Sequence, residues 1–167
     1  MRYIAVSALS HDGLVREHNE DSVAVGPWTT CAATTLTPQT LVFPIDNSLM
    51  VAVADGLGGH PEGELASTLV VQELSRLANT LSDDASVRSA LQGCNSAVYD
   101  AADRDPTRRG MGTTVAGVVL SPDTVVVFNV GDSRVYGMSE QDLDRLSVDD
   151  NPPLAPGETT TSIVTQT

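Results

Sequence analysis

Cysteine and aromatic residues are scarce in this 167-residue sequence. Its two cysteines, Cys31 and Cys94, lie far apart and lack the spacing of a zinc site. They are therefore expected to be small unpaired thiols in a reducing compartment rather than a disulfide framework. Aromatic residues make up 4% of the chain, so the core has to be built mainly from Val, Leu, Ala and Ile, which suits packed sheets and helices.

Basic residues and long apolar runs are also in short supply. Nine Lys and Arg residues stand against 22 Asp and Glu residues, and the net charge is -13. Such a chain repels the phosphates of nucleic acids and of anionic membranes. No apolar run is long enough to span a membrane, and residues 3–9 make a poor signal peptide. We therefore expect a cytoplasmic protein without nucleic-acid binding or membrane insertion; a membrane-anchored parent stays open if the chain is a fragment.

Acidic residues, by contrast, stand at three points where strand-like runs end. Asp55 follows the apolar run 49–54 and opens a glycine-rich turn, Glu20 and Asp21 precede a second run, and Asp132 follows a Val-rich third run. Glycines beside such a strand end let backbone carbonyls approach a ligand closely. Oxygen ligands without a His or Cys cluster favour magnesium or manganese over zinc. The pattern predicts one shared metal centre.

The order of the predicted elements indicates a single α+β domain. Strands are expected at 3–9, 22–25, 49–54, 113–120, 124–130 and 135–138, and helices from residue 61 and over 84–102. Two helices between groups of strands indicate layers rather than a βαβ alternation. The Thr- and Pro-rich stretch 26–47 predicts an extra short strand or hairpin, or a mobile surface loop. Gly112 is expected to permit close backbone packing beside the strand that carries Asp55.

Four motifs carry a resemblance to a known family. They are Arg16-x-x-Asn19-Glu20-Asp21, the run 53–60 (VADGLGGH) with 63–67 (GELAS), the run 110–114 (GMGTT) and the run 129–134 (NVGDSR). In this order they resemble the metal-dependent PPM-type (type 2C) protein serine/threonine phosphatases, and the DGLGGH form resembles the bacterial branch. The resemblance covers nearly the whole chain.

The resemblance implies a fold and a reaction. The fold would be a layered α-β-β-α sandwich of two antiparallel sheets flanked by helices. Residues 1–167 would be the N-terminal two-thirds of this one domain, truncated before its C-terminal part. The reaction would be hydrolysis of phosphoserine and phosphothreonine by a water activated at a centre of two or three Mn²⁺ or Mg²⁺ ions. The partners would be phosphoprotein substrates of a serine/threonine kinase, and the chain would be a monomer or associated with its missing C-terminal part.

The resemblance also implies roles for individual residues. Arg16, a catalytic candidate, would grip the substrate phosphate through a forked pair of hydrogen bonds, which lysine cannot form. Asp21, the second catalytic candidate, and Glu20 would hold metal-bound water. Asp55 would bridge two metals, and Gly56 would supply a backbone carbonyl ligand.

Asp132 would serve an additional metal, but the resemblance leaves two ligands of the primary metals without a convincing match. In relatives they lie in Ser-Asp-Gly and Asp-Asn type motifs beyond the point where this chain stops. The run 149–151 (Asp-Asp-Asn) is the nearest substitute, and the prolines after it favour a turn instead. A second hypothesis therefore stands: a catalytically inactive, phosphatase-like binding or regulatory module.

The three histidines receive weaker expectations. His60 stays open between donating a proton to the leaving group and a turn or capping role at the start of the first helix. His11 and His18 are expected to be solvated loop residues.

Overall fold

The computed structural model describes residues 2–44, 46–57 and 62–150. Within these ranges the chain forms two α-helices, α1 (Glu62–Leu77) and α2 (Asp84–Arg104), and short 3₁₀ turns at Ala78–Thr80 and Pro106–Arg108. The same ranges form ten strands: β1 (Tyr3–Ala8), β2 (Asp21–Val25), β3 (Trp28–Cys31), β4 (Gln39–Pro44), β5 (Leu49–Leu57), β6 (Gly112–Thr113), β7 (Val115–Leu120), β8 (Val125–Val130), β9 (Tyr136–Met138) and β10 (Leu143–Arg145).

A six-stranded antiparallel sheet forms the centre of the fold. Its main order is β3-β2-β5-β7-β8, and the short β6 pairs with the end of β5. Strand β5 is buried along the face that meets the helices, and its opposite face is buried only near its start. Met50, Ala52 and Ala54 point to the helices and are almost fully buried, and Leu49 and Val51 point to the opposite face. Continuous apolar character, rather than alternation, is what such a central strand requires.

The helices cover one face of this sheet. Helix α2 starts at a capping box, in which Asp83 accepts from the Ser86 backbone N–H and the Ser86 side chain accepts from the Asp83 N–H. This arrangement satisfies backbone donors that the first turn leaves unpaired. The helices bury an apolar stripe of Ala66, Val70, Val71 and Leu74 from α1 and Val87, Ala90, Cys94 and Val98 from α2.

A second, smaller sheet lies on the other face. Strands β1 and β4 pair antiparallel, and their inward side chains pack on Val23, Val25 and Leu49 of the central sheet. A further antiparallel hairpin joins β9 and β10. The α+β class with two packed antiparallel sheets is therefore confirmed. The described residues supply the helix layer on one side only.

The stretch 26–47 contains two strands, which confirms the expected extra strand. Strand β3 extends the central sheet beyond β2, whereas β4 crosses to the second sheet and pairs with β1. Strands β1 and β2 therefore belong to different sheets. The short strand β10 has three exposed residues, and this lack of an apolar pattern explains why the sequence did not predict it.

Two details of the expectation were wrong. Strand β5 continues through Leu57, so Asp55 lies inside a paired strand rather than at its end. A Cβ added to Gly112 would meet no atom within 4 Å, so this glycine is not required for close packing. The close approach is at Gly56, whose added Cβ would overlap the Gly63 carbonyl of α1.

Neither α1 nor α2, the α-helices of the described ranges, is long and apolar enough to cross a bilayer.

Gly117→Ala should destabilise the full-length protein by about 1–3 kcal/mol, because a Cβ there would lie 2.5 Å from the Val51 carbonyl oxygen and 2.6 Å from the Phe128 ring. The matched control is Gly93→Ala on the exposed side of α2, where a Cβ meets nothing within 4 Å. It should stabilise by up to about 1 kcal/mol through helix propensity. Urea denaturation measures both changes, and equal midpoints for the two variants would contradict the packing argument.

Candidate active site

Two aspartates face each other on the neighbouring strands β2 and β5 of the main sheet. Asp21, the first residue of β2, is directly opposite Asp55 in the antiparallel register with β5. Directly opposite residues of such a pair have Cβ atoms about 4.5–5.5 Å apart. By the alternation of strand residues, both side chains point to the face away from the helices. The pair therefore lies between the two sheets, at one edge of the sandwich.

The two carboxyl groups share a hydrogen bond, which raises the pKa of Asp21 and opposes the rise in the pKa of Asp55. The pKa of Asp21 rises to about 6, because its carboxyl is partly desolvated and because the charges of Asp55 and Glu20 repel its own. Its hydrogen bond with Asp55 also favours the protonated form. The pKa of Asp55 is also raised, chiefly by desolvation and further by the charge of Asp132, although the residue as a whole is exposed. In the protein alone, this pair favours holding a proton between its oxygens.

The backbone of Asp55 is held by the GMGTT run. The carbonyl oxygen of Asp55 accepts from the Thr114 N–H and from the Thr113 hydroxyl, both at 2.9 Å. The Thr114 hydroxyl in turn bonds to the Ser133 hydroxyl, next to Asp132. These hydroxyls explain why two threonines stand here. The sequence singled out the motif without indicating their contacts.

Asn19 holds the backbone of Asp21. Only 6% of Asn19 is exposed, and its Oδ1 accepts from the Asp21 N–H at 2.9 Å. Its Nδ2 donates to the Ser10 hydroxyl at 2.8 Å and to the Ala33 carbonyl at 3.1 Å. A buried side-chain amide with three partners fixes the entry of the chain into β2.

Helix α1 is attached to the same strand by a buried hydroxyl. The Ser67 hydroxyl donates to the Glu20 carbonyl oxygen at 2.6 Å and lies 3.0 Å from the Ser22 hydroxyl. The missing side chain of Gly63 leaves room for the Glu20 carboxylate, because a Cβ there would overlap Glu20 Oε2. This places a carboxylate beside the first turn of α1, where the helix dipole favours negative charge.

A cleft of about 210 Å³ opens beside the aspartate pair. The loop between β1 and β2 supplies most of its wall, including the guanidinium of Arg16, and its lining residues are His11, Asp12, Arg16, His18, Asn19, Glu20, Asp21, Asp55 and Gly56. Arg16 lies close enough to oppose the rise in the pKa of Asp55. The cleft thus combines one forked cation with a row of carboxylates. His11 and His18, expected to be loop residues, line this cleft, while His60 is outside the described residues.

Asp132 borders the pair rather than joining it. It is exposed after β8, and its charge contributes to the raised pKa of Asp55. Among residues 2–44, 46–57 and 62–150, no group of three or more His, Cys, Asp or Glu side chains is arranged to hold a metal. The structure therefore brings Asp21 and Asp55 into contact. The charge of Glu20 acts on Asp21, and the charge of Asp132 acts on Asp55.

The acidic run after β10 has a different task from metal binding. Asp149 accepts hydrogen bonds from Arg134, the nearest at 2.7 Å, and from Arg145 at 3.2 Å. Asp150 Oδ2 accepts from the Gly131 N–H at 3.2 Å. These contacts fasten the turn that carries Asp132. The expected turn extends beyond residue 150 and lies outside the described residues.

The donor set fits a hard divalent cation. Four of the predicted metal ligands, Glu20, Asp21, Asp55 and Gly56, line the cleft, and each of them can offer an oxygen. Such ligands suit Mg²⁺ and Mn²⁺. A cation would also remove the repulsion that raises the pKa of Asp21 and Asp55.

Comparisons with known proteins show which family the chain resembles. A family model described as Protein phosphatase 2C matches residues 40–167. The serine/threonine protein phosphatase PstP of Mycobacterium tuberculosis is 32% identical over 151 residues, which cover 86% of this chain and 24% of PstP. The serine/threonine phosphatase stp of Listeria monocytogenes is 31% identical over 144 residues, which cover 82% of this chain and 51% of stp.

A solved structure extends the likeness to the fold. The crystal structure of the PstP catalytic domain, in complex with two manganese ions, superposes with a TM-score of 0.63 at 30% identity. The match covers 89% of this chain and 56% of that domain. The chain thus spans between a quarter and about half of the two curated relatives' length.

Asp21→Asn should stabilise the metal-free full-length protein at pH 8 by about 1 kcal/mol, after allowance for solvent screening. The folded-state pKa of about 6 lies above the ordinary 3.8, so wild-type stability falls as the pH rises from about 4 through about 6. The stability of the variant should not decrease over this pH range, and near pH 4 it should equal that of the wild type. Urea titrations across pH measure it, with Asp100→Asn on α2 as an exposed control. A variant with the wild-type pH slope would refute the repulsion.

Proposed function

Because the chain belongs to the protein phosphatase 2C family, we propose that it carries the metal-binding and phosphate-binding half of a protein serine/threonine phosphatase. The reaction is hydrolysis of phosphoserine and phosphothreonine in phosphoproteins, the products of serine/threonine kinases. The names of the relatives support this activity. The chain itself supplies the first residues of the proposed site, Arg16, Asp21 and Asp55.

The contact between Asp21 and Asp55 is the observation that carries the proposal. Two carboxylates in contact on neighbouring strands, both with raised pKa, form a site that favours a cation. Arg16 lines the same cleft and can bind a phosphate with two parallel hydrogen bonds. A phosphate monoester held there presents its phosphorus to the carboxylate pair.

We assign Asp21, Asp55 and the Gly56 carbonyl to two Mn²⁺ or Mg²⁺ ions, with Glu20 supporting them and Asp132 available to a third. When bound, such ions polarise a phosphoryl oxygen and lower the pKa of water, so that water attacks phosphorus without an enzyme nucleophile. The manganese pair in the PstP catalytic domain supports this assignment.

The remaining residues orient the reacting groups. Thr113 and Thr114 keep the Asp55 backbone in place, and Asn19 does so for Asp21. Arg16 fixes the phosphate and balances the charge that develops on its oxygens. Their contribution is to hold ligands and substrate in one geometry before reaction.

A binding module without catalysis is the second candidate for residues 1–167 alone. Among the described residues, two carboxylates are in contact and no cluster of three is present. Two carboxylates are few ligands for two cations. Metal titration of the full-length protein and of residues 1–167 side by side separates the candidates. If the full-length protein releases phosphate from a phosphopeptide when manganese is added, the enzyme is supported. Metal binding without this release supports the binding module.

Asp55→Asn in the full-length protein should reduce manganese-dependent hydrolysis of a phosphopeptide by more than about 100-fold, because loss of a ligand costs more than loss of its supporting contacts. Folding should be retained, since the change also removes charge repulsion. Phosphate release and Mn²⁺ titration by calorimetry measure the two effects, with Asp100→Asn as control. Wild-type turnover in Asp55→Asn would exclude this residue from the site.

Arg16→Lys should raise the KM for a phosphopeptide about tenfold, because lysine keeps the charge but loses the forked geometry. Mn²⁺ affinity should stay unchanged, since Arg16 contacts phosphate rather than metal. Steady-state kinetics on a phosphothreonine peptide test this, with Arg104→Lys on α2 as the matched control. A larger effect on Mn²⁺ binding than on KM would contradict the assignment.

A further inference from the structure

The connection between β2 and β5 is much longer than their pairing requires. These strands are antiparallel neighbours, with Val25 opposite Val51, and the Gly26 N–H donates to the Met50 carbonyl at 2.7 Å. Two residues can join such strands. Instead the chain runs through β3, a loop and β4 before it returns at Leu49. An excursion of this length needs a reason beyond the sheet itself.

The first part of the loop after β3 is fastened to the wall of the cleft. We call residues 32–35 the brace and residues 9–20 the cleft loop. Ala33 accepts from Asn19 Nδ2, and the Thr34 hydroxyl donates to Asp12 Oδ1 at 2.9 Å. The Thr35 N–H donates to the Ser10 carbonyl at 2.8 Å. The brace therefore contacts the cleft loop near both of its ends and in between.

Thr35 and Ala32 complete this attachment. The Thr35 hydroxyl accepts from the Ser10 N–H at 3.1 Å, and the Ala32 N–H donates to the Asp21 carbonyl at 2.9 Å. Ala32 adopts a positive φ of 48°, a backbone conformation that is unfavourable for a residue with a Cβ. The chain turns sharply there and brings the two threonines onto the cleft loop.

The cleft loop has little apolar packing at its tip. Leu14 and Val15 are 101% and 91% exposed, and Gly13 has a φ of 78°. Arg16 follows directly. A segment with exposed apolar side chains needs other contacts to stay ordered, since fixing a residue's backbone costs about 1–2 kcal/mol. The hydrogen bond from Thr34 is the largest cause of the lowered pKa of Asp12. It therefore favours the ionised form of the Asp12 side chain.

We propose that the brace is a positioning element for substrate binding: Thr34 and Thr35 hold the cleft loop so that Arg16 is ordered before a phosphate arrives. This inference rests on the proposed function for the nature of the substrate. The brace touches no carboxylate of the proposed metal site, and its contacts to Asp21 are to backbone atoms. Its loss therefore weakens phosphate binding while Mn²⁺ affinity stays the same.

The test compares Thr34→Val, Thr35→Val and the double variant in the full-length protein. Valine keeps the shape of threonine and removes the hydroxyl. The double variant should raise the KM for a phosphothreonine peptide about fivefold with kcat and the Mn²⁺ dissociation constant unchanged. Amide hydrogen exchange of residues 11–16 should become faster, while β2 and β5 keep wild-type protection.

Thr40→Val is the matched control. It removes the hydroxyl pair between Ser7 and Thr40, 2.8 Å apart, on the same excursion but in the β1–β4 sheet. It should leave KM and exchange of residues 11–16 unchanged. An effect equal to that of the double variant would mean that the excursion acts only through general stability.

The hydrogen-exchange measurement keeps this inference separate from the proposed function. Wild-type exchange of residues 11–16 in the double variant would overturn the brace, whatever the activity. Faster exchange in a protein without manganese-dependent hydrolysis would support the brace and refute the phosphatase. Thr34 is exposed, so Thr34→Val tests the same contact with little risk to folding if the double variant is unstable.

Discussion

The antiparallel register that places Asp21 opposite Asp55 is the constraint on which this structure depends. Two unit charges about 4 Å apart repel by about 1–4 kcal/mol, between the values for bulk water and for a protein surface. Strand pairing prevents the side chains from moving apart. The repulsion can be relieved by a shared proton or by a cation. The fold thus holds an unfavourable interaction that a divalent ion would relieve, and the raised pKa of Asp21, to which the charge of Asp55 contributes, is its signature.

The surrounding contacts serve to keep that geometry while the carboxylate oxygens stay available. Thr113, Thr114 and Ala32 bind backbone carbonyls of the two aspartates, and Asn19 binds a backbone N–H. The Ser67 hydroxyl donates to the backbone carbonyl of Glu20. None of these contacts uses a carboxylate oxygen of Asp21 or Asp55. The site is therefore built on backbone fixation.

The sequence predicted the elements better than their assembly. Residues 49–54 and the helical stripe from Val87 to Val98 were recognisable because burial imposes a residue pattern. The pairing of Asp21 with Asp55 was not, because register depends on the long connection between β2 and β5, and periodicity carries no information about partners. Strand β3 has four half-buried residues at the sheet margin, which leaves neither an alternating nor an apolar signature.

The site residues show the same division. Asp55, Asp21 and Arg16 could be singled out from their motifs, and the structure places all three along one cleft. The sequence missed Asn19, Thr34 and Ser67 as supporting residues because a hydroxyl or amide bound to a distant backbone atom has no local signal. It also gave no sign that two arginines hold Asp149.

The chemistry of the supporting residues follows from the charge of the chain. The sequence contains no lysine and nine arginines. A cationic support beside Asp21 or Asp55 would stabilise the ionised pair and so compete with a bound metal. Hydroxyl and amide groups fix the backbone without adding charge, so the attraction for a cation remains. Arg16, which lines the cleft and opposes the rise in the pKa of Asp55, stands where an anionic phosphate would balance its charge. Neutral supports and one forked cation are thus the arrangement that the proposed function requires, in which the same cleft would take up a metal and a phosphate together.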